Sequence, residues 1–244
     1  MRAQFRIGMI ALAATGGVCL ALAQPAPLSA AESLERSYRV GGFDKVAGVG
    51  SNRFVISVGA APSVRATGPA RTLDVFEVVV EDGELRIQPK EEYRRGKLPK
   101  DLAPATYRIT LPRISAAVLA GSGDMSVDRV EADRFSASLA GSGRMSLDRL
   151  AVDEARISVA GSGDVSASGR ARSSRVSVAG SGNVRAAGLR SETASVSVAG
   201  SGDTDLGVSG DASISIVGSG DVTIAGTTRC KVSRMGSGRA TCSA

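Results

Sequence analysis

The stretch Ala120-Gly121-Ser122-Gly123-Asp124 decides the fold, because its Gly-Ser-Gly core returns six more times along the chain. The first glycines of successive motifs are separated by 20, 20, 19, 20, 18 and 18 residues. A nearly constant period of this length is typical of one structural unit stacked on copies of itself. The first glycines of the seven motifs are Gly121, Gly141, Gly161, Gly180, Gly200, Gly218 and Gly236.

Apolar residues alternate with polar or small residues on both sides of each motif. In the third unit Ile157 and Val159 precede the glycines and Val165 follows them, with Ser158 and Ser166 at the intervening positions. Strict alternation predicts β-strands with one buried face, whereas a helix would need apolar residues three and four positions apart. Both glycines fall on the inward parity, where glycine permits a sharp corner.

The predicted unit is therefore a strand, a glycine corner, a second strand and a short return. Successive units should pair in parallel about 4.8 Å apart and bury a continuous stack of Val, Leu and Ile. The sequence thus predicts an all-β fold, a parallel β-solenoid with coils of about 20 residues. We expect one domain over 38–244, with irregular N-terminal coils over 38–110 and the seven repeats over 111–244.

The first 23 residues have the features of a secretory signal peptide. Arg2 and Arg6 precede an apolar run over 7–23, and Ala21 and Ala23 form an A-x-A cleavage signature. The chain is therefore predicted to be exported.

Three alternatives remain for this N-terminal segment. It could be an uncleaved anchor, a lipoprotein modified at Cys19, or a signal that is cleaved near Ala31. With cleavage after residue 23, the stretch 24–37 is predicted to be a flexible leader, and no transmembrane segment is expected in the mature chain.

Export leaves one pair of cysteines, Cys230 and Cys242, in an oxidising compartment. They lie six residues before and six residues after Gly236, at offsets that face inward in the other units. We expect a disulfide that closes the last coil, and the alternative is a pair of buried thiols.

The region before the repeats has a different sequence pattern. Asp82-Gly83 lies between the apolar runs 75–80 and 85–87, which is a hairpin signal. The charged stretch 89–104 is predicted to be a solvated loop, and Tyr107 to Leu111 a strand that leads into the first repeat.

Four further segments, in this order, carry a resemblance to a known family. Together they resemble the bacterial "putative auto-transporter adhesin, head GIN domain" family, a domain of unknown function, over about residues 40–242. The resemblance implies a right-handed parallel β-helix exported from Gram-negative cells, and it brings no catalytic residues with it. The literal Gly-Ile-Asn of the family name does not occur in this sequence. The segments are Gly-Gly-Phe-Asp-Lys-Val at 41–46, Gly-Val-Gly-Ser-Asn at 48–52, Val-Glu-Asp-Gly-Glu-Leu-Arg-Ile at 80–87 and Leu-Pro-Arg-Ile at 111–114.

The composition argues against an enzyme. The sequence has no histidine and no tryptophan, which excludes histidine-based nucleophiles, bases and metal sites. Glycosidic cleavage needs two carboxylates that flank the bond, and no such pair is evident. We therefore expect no catalytic residue and no cofactor.

One ladder of polar residues, three positions after each first glycine, is a candidate metal site. Asp203 and Asp221 lie directly above one another in it, and their oxygens could hold a cation such as calcium. The alternative is two solvated carboxylates at a corner. The full ladder is Asp124, Arg144, Asp164, Asn183, Asp203, Asp221 and Arg239.

The formal net charge is +6, and loss of Arg2 and Arg6 with the signal leaves +4. A basic balance favours anionic surfaces, and export argues against nucleic acid as a partner. We predict a non-enzymatic, adhesin-like binding module in the periplasm or on the surface of a Gram-negative cell, with an envelope or cell-surface component as partner. The alternatives are a periplasmic scaffolding protein and, with less support, an enzyme that acts on polysaccharide. The pattern predicts no particular oligomeric state.

Overall fold

The computed structural model describes residues 33–94, 98–99 and 101–244. The signal peptide and its alternatives, including Cys19, lie outside these residues, as do 95–97 and 100 of the charged stretch 89–104. No helix in the described part of the chain is both long and apolar enough to cross a membrane.

The part that precedes the repeats contains seven strands, one helix and a 3-10 turn at Glu91–Tyr93. In chain order the elements are β1 (Ser33–Tyr38), β2 (Lys45–Val49), β3 (Arg53–Val58), β4 (Ser63–Pro69), α1 (Ala70–Val75), β5 (Phe76–Glu81), β6 (Glu84–Pro89) and β7 (Thr106–Leu111).

The repeats contain eleven strands, several of which continue around corners of a coil. They are β8 (Ala116–Gly121), β9 (Asp124–Val127), β10 (Val130–Gly141), β11 (Arg144–Gly161), β12 (Asp164–Gly180), β13 (Asn183–Gly200), β14 (Thr204–Val208), β15 (Ala212–Gly218), β16 (Val222–Ala225), β17 (Cys230–Met235) and β18 (Ala240–Ser243).

The repeats stack as a parallel β-solenoid, which confirms the predicted fold. Equivalent residues pair in register from coil to coil: Gly141 with Gly161, Gly161 with Gly180, and Gly180 with Gly200. The unequal steps between motifs are absorbed on the return side of the coil, where register shifts occur between Leu147 and Leu150 and between Ala186 and Arg190. The corners therefore stay aligned while the return side varies.

Each first glycine is required by the coil beneath it as well as by the bend. At Gly161 the backbone has φ +122°, and an added Cβ would lie 2.5 Å from the carbonyl oxygen of Gly141. That same oxygen accepts hydrogen bonds from the N–H groups of Ser162 and Gly163, both at 2.9 Å. A side chain at this position would separate two coils that are joined through this carbonyl.

The inward positions predicted from the alternation are buried throughout the inner coils. Ile157, Val159 and Val165 are each at most 3% exposed, and they belong to one continuous core. The last coil differs: Val232 is 43% exposed although it occupies an inward offset. The reason is that β17 pairs with β15 on one side, so the stack ends there.

The chain does not stack in sequence order at its N-terminal side. Strand β2 pairs in parallel with both β6 and β8, and β3 pairs in parallel with both β7 and β9. The coil made by 45–58 is thus inserted between the coil made by 84–111 and the first repeat. Tyr107–Leu111 is a strand that leads along the chain into the first repeat, as predicted, and it pairs with β3 and β4.

Antiparallel strands and a helix cover the N-terminal end of the core. β5 pairs with β6 in the hairpin predicted from Asp82-Gly83, and β4 pairs with both β7 and β1. α1 contributes the buried Leu73 and Val75 to the core, so the run predicted to begin a strand at 75 ends this helix instead. β1 also occupies 33–38, most of which was predicted to be leader.

Candidate functional site

The polar ladder at the glycine corners is held together mainly by its own hydrogen bonds. The Oδ1 atom of Asn183 accepts the backbone N–H of Asp203 at 3.0 Å. The carboxylate of Asp203 accepts the N–H of Asp221 at 2.9 Å, and Asp221 accepts the N–H of Arg239 at 2.8 Å. Each side chain thus bonds the backbone of the next coil.

These hydrogen bonds bear on the metal-site hypothesis for Asp203 and Asp221. The structure places the two residues on adjacent coils, but one oxygen of each already accepts a backbone N–H. Within the described ranges, no group of three or more His, Cys, Asp or Glu side chains is arranged to hold a metal ion. The ladder therefore has a structural explanation that needs no cation.

The first part of the same ladder contains attractive charge pairs. Asp124 lies between Arg53 at 3.6 Å and Arg144 at 4.0 Å. The pKa of Asp164 is lowered, first because Asn183 donates a hydrogen bond to its carboxylate and then because Arg185 lies 3.3 Å away. These contacts favour the ionised form of Asp164 at the corner.

Cys230 and Cys242 form a disulfide in the last coil, with their Cα atoms 6.7 Å apart. Cys230 opens β17 and Cys242 lies within β18, so the bond joins the two strands that end the stack. Both cysteines are partly buried and pack against the core.

An extended, shallow groove lies on the return side of the coils. Five shallow cavities, with volumes between about 260 and 620 Å³, follow one another there and share lining residues. At a coil spacing of about 4.8 Å, the four steps along its floor span about 19 Å. We call it the corner groove, although it lies on the return side of the coils and not at the glycine corners. Its floor is an in-register ladder of Ala132, Val152, Ala171, Ser191 and Val208.

The charge of the corner groove changes along its length. Toward the N-terminal coils its lining includes Asp44, Glu131 and Asp133 together with Arg113 and Arg134. Farther along it includes Arg170, Arg172 and Arg190 together with Asp153 and Glu192. The groove therefore carries mixed charge, with a small acidic excess toward one end and a small basic excess toward the other.

The acidic groups near the middle of the groove are held in ion pairs. Asp153 lies 3.0 Å from Arg172. Glu154 lies 2.8 Å from Arg156, and this hydrogen bond is the main cause that lowers the pKa of its carboxyl group. A general acid for glycosidic cleavage needs a raised pKa, so Glu154 is set up for the opposite state.

Sequence reasoning missed the corner groove. Its residues lie in the returns, where the alternation is weaker and register shifts decide which side chains stack. One signal was present: Arg170 and Arg190 are 20 residues apart, the same step that separates Gly180 from Gly200. That spacing places the two arginines on adjacent coils.

By its architecture the protein is a parallel β-solenoid with a long surface groove and glycine corners. A family model described as "Putative auto-transporter adhesin, head GIN domain" matches residues 42–228. The chain belongs to this family, as its sequence segments indicated. A search of curated proteins found no significant match.

Solved structures of similar shape share the fold at low sequence identity. A putative adhesin from Bacteroides fragilis is 20% identical, with a TM-score of 0.76 over 86% of this chain and 97% of that one. A putative lipid binding protein from Parabacteroides distasonis is 22% identical, with a TM-score of 0.69 over 86% and 96%. A putative adhesin from Parabacteroides merdae is 16% identical, with a TM-score of 0.68 over the same 86% and 96%.

Proposed function

We propose that this protein is an exported, non-enzymatic binding module that presents the corner groove to a component of the cell envelope or of another cell surface. The observation that carries the proposal is the groove itself, which continues across five stacked coils on a rigid scaffold. Rigid repeat stacks commonly bind partners along such extended surfaces. The family name, which describes an adhesin, supports the same function.

Export is supported by the signal features of residues 1–23 and by the disulfide between Cys230 and Cys242, since disulfides persist in oxidising compartments. The absence of histidine from the sequence and the lowered pKa of Glu154 support a binding role without catalysis. We place the protein at the cell surface, where an adhesin-like module would meet its partner. A periplasmic scaffold is the competing function.

The test is a binding assay between the purified, tagged protein and envelope fractions of its own cells. Ala151 lines the groove and pairs in register with Glu131 on one side and Arg170 on the other, so Ala151→Trp places a large side chain in the groove. Ala179 is exposed on a different side of the coil, next to the corner at Gly180, and Ala179→Trp is the matched control. We expect Ala151→Trp to weaken binding at least tenfold while Ala179→Trp binds like the wild type.

Equal binding by both variants at equal folded content would refute the groove as the binding surface. Incubation with envelope polysaccharide should release no new reducing ends. Turnover that exceeds a heat-denatured control would support the enzymatic alternative instead.

A further inference from the structure

Two arginines in the corner groove stack directly on one another without an acidic partner. Arg170 of β12 and Arg190 of β13 are paired in register on adjacent strands. Both side chains are exposed, and both line the same cavity of about 390 Å³. Like charges directly opposite each other on neighbouring strands destabilise a sheet. The pair therefore calls for an explanation beyond the fold.

Other in-register arginine pairs in this chain have a carboxylate beside them. Arg156 and Arg175 share Glu154, whose Oε1 atom lies 2.8 Å from one guanidinium and 3.5 Å from the other.

In the pair of Arg65 with Arg108, Glu35 lies 3.6 Å from Arg65. No acidic group of the described residues lies within ion-pair distance of Arg170 or Arg190. The chain thus compensates two stacked arginine pairs and leaves this one open to the groove.

We propose that Arg170 and Arg190 bind the phosphate group of a phosphorylated saccharide that lies in the corner groove. Two guanidinium groups one coil apart, at about 4.8 Å spacing, supply two positive charges and several N–H donors. A phosphate monoester carries a matching charge of nearly two and three acceptor oxygens. This assignment rests on the proposed binding function of the groove and names the chemistry of its ligand.

The surroundings of the arginine pair fit a hydroxylated ligand. Glu192 and Ser209 line the same cavity and provide groups that can accept or donate hydrogen bonds with sugar hydroxyls. The floor below is made of small side chains, among them Ala171 and the buried Ser191, which leave room for a ring. No aromatic ring is among the residues that line this cavity. The phosphate contacts therefore supply most of the affinity.

The ligand also has to avoid the acidic part of the groove. Asp153 forms an ion pair with Arg172 at 3.0 Å. The other carboxylate that lines this cavity, Glu192, is outnumbered by Arg170 and Arg190, so the cavity is positive overall. Glu131 and Asp133 line one cavity with Arg170, and Glu131 lies two coils away from Arg170, at about 10 Å. A saccharide can place its phosphate at the two arginines and its neutral hydroxyl groups toward these acidic side chains, so that no negative charge of the ligand lies beside a carboxylate.

The experiment is a calorimetric titration of the full-length mature protein with glucose 1-phosphate. The variants are Arg170→Gln, Arg190→Gln and the double change, and the control is Arg185→Gln. Arg185 is an exposed arginine outside the groove that pairs with Asp164. We expect each groove variant to weaken binding about tenfold and the double variant about a hundredfold, with the control unchanged. Affinity should also fall as NaCl is raised.

Three ligands separate the parts of the proposal. Glucose alone should not bind measurably, and inorganic phosphate should bind at least tenfold more weakly than glucose 1-phosphate. Glucuronate, with one negative charge, should also bind more weakly than the phosphate ester. Equal affinity for inorganic phosphate would overturn the saccharide, equal affinity for glucuronate would overturn the preference for phosphate, and equal affinity for glucose would overturn the anion site.

A stability measurement guards against a variant that fails by misfolding. Because removal of one charge relieves the repulsion, Arg170→Gln and Arg190→Gln should melt at the same temperature as the wild type or higher. A lower melting temperature would show that the arginines have a structural role, which contradicts the proposal. If glucose 1-phosphate binds as expected while Ala151→Trp still binds envelope fractions normally, the phosphate site stands and the groove-wide binding function fails.

Discussion

Replacement of one corner glycine tests how the coils are stacked. In Gly161→Ala, the added Cβ would lie 2.5 Å from the Gly141 carbonyl oxygen, whereas ordinary contact begins at 3.4 Å. The two coils would have to separate by about 0.9 Å, the difference between these two distances. That shift stretches the hydrogen bonds that Ser162 and Gly163 donate to the same oxygen from 2.9 Å to beyond hydrogen-bond range.

The expected cost follows from two contributions. A non-glycine residue at φ +122° costs about 1–3 kcal/mol in backbone strain. Loss of two backbone hydrogen bonds adds about 1–3 kcal/mol, at roughly 0.5–1.5 kcal/mol each. We expect Gly161→Ala to lower the free energy of unfolding by about 2–6 kcal/mol in a urea titration, since these contributions add.

Hydrogen exchange should localise the damage. In a solenoid each coil contacts its neighbours only, so the loss of protection should be greatest in the coils on either side of Gly161. The control is Gly41→Ala, because a Cβ at Gly41 would meet no atom within 4 Å. A Gly161→Ala protein whose stability stays within about 0.5 kcal/mol of the wild type, like the control, would refute the steric reasoning.

Substitutions at three further positions probe the core and the corner ladder. Val198→Asp should cost several kcal/mol, because Val198 is 1% exposed in the aliphatic stack and a charge there would have no partner; an unchanged urea midpoint would contradict its inward position. Asp203→Asn should keep the acceptor for the N–H of Asp221 and remove a like charge, so its melting temperature should equal or exceed that of the wild type. Asp203→Ala removes the acceptor and should melt lower than the wild type. An Asp203→Asn protein that melts below the wild type would mean that the charge itself is required, as in a cation site. Asp164 has a folded-state pKa below its ordinary value of 3.8, so its contribution is present above about pH 4 and is lost as the pH falls through the folded-state pKa. The difference in melting temperature between wild type and Asp164→Ala should therefore shrink below pH 4, and a difference that is constant from pH 6 to about pH 2 would contradict the assigned hydrogen bond.

The repeats could be predicted from the sequence because their information is local. The motif at Gly121 and the alternation around it specify corner, strands and buried face within about 20 residues, and the register then follows from the period. Val232 shows the limit of this reasoning, since its inward offset is the same as that of Val196 but no further coil covers it. Exposure at the end of a stack depends on neighbours rather than on pattern.

The order of the N-terminal coils could not be predicted in the same way. Nothing in the alternation of β2 or β3 indicates that they pair with both 84–111 and the first repeat. Parallel pairing between distant segments is set by which arrangement buries the most apolar surface, and that is a property of the whole chain. Gly50 carries a hint in retrospect, because an added Cβ at Gly121 would lie 2.5 Å from its carbonyl oxygen, as in the later corners.

The corner groove was hidden for a related reason. Its floor residues, such as Val152 and Ser191, lie in returns whose lengths differ between coils, so their stacking depends on register shifts near Leu150 and Arg190. Position along the sequence alone does not bring them into one ladder. The charges of the groove follow from that ladder.

The proposed location of this binding module at the outer surface of the cell can be tested directly by a single measurement. Intact cells that express the protein with a C-terminal tag would be treated with a protease, with a periplasmic protein as the control for an unbroken envelope. We expect the tag to be lost while the periplasmic control survives. Survival of the tag until the outer membrane is opened would contradict the surface location and favour the periplasmic scaffold.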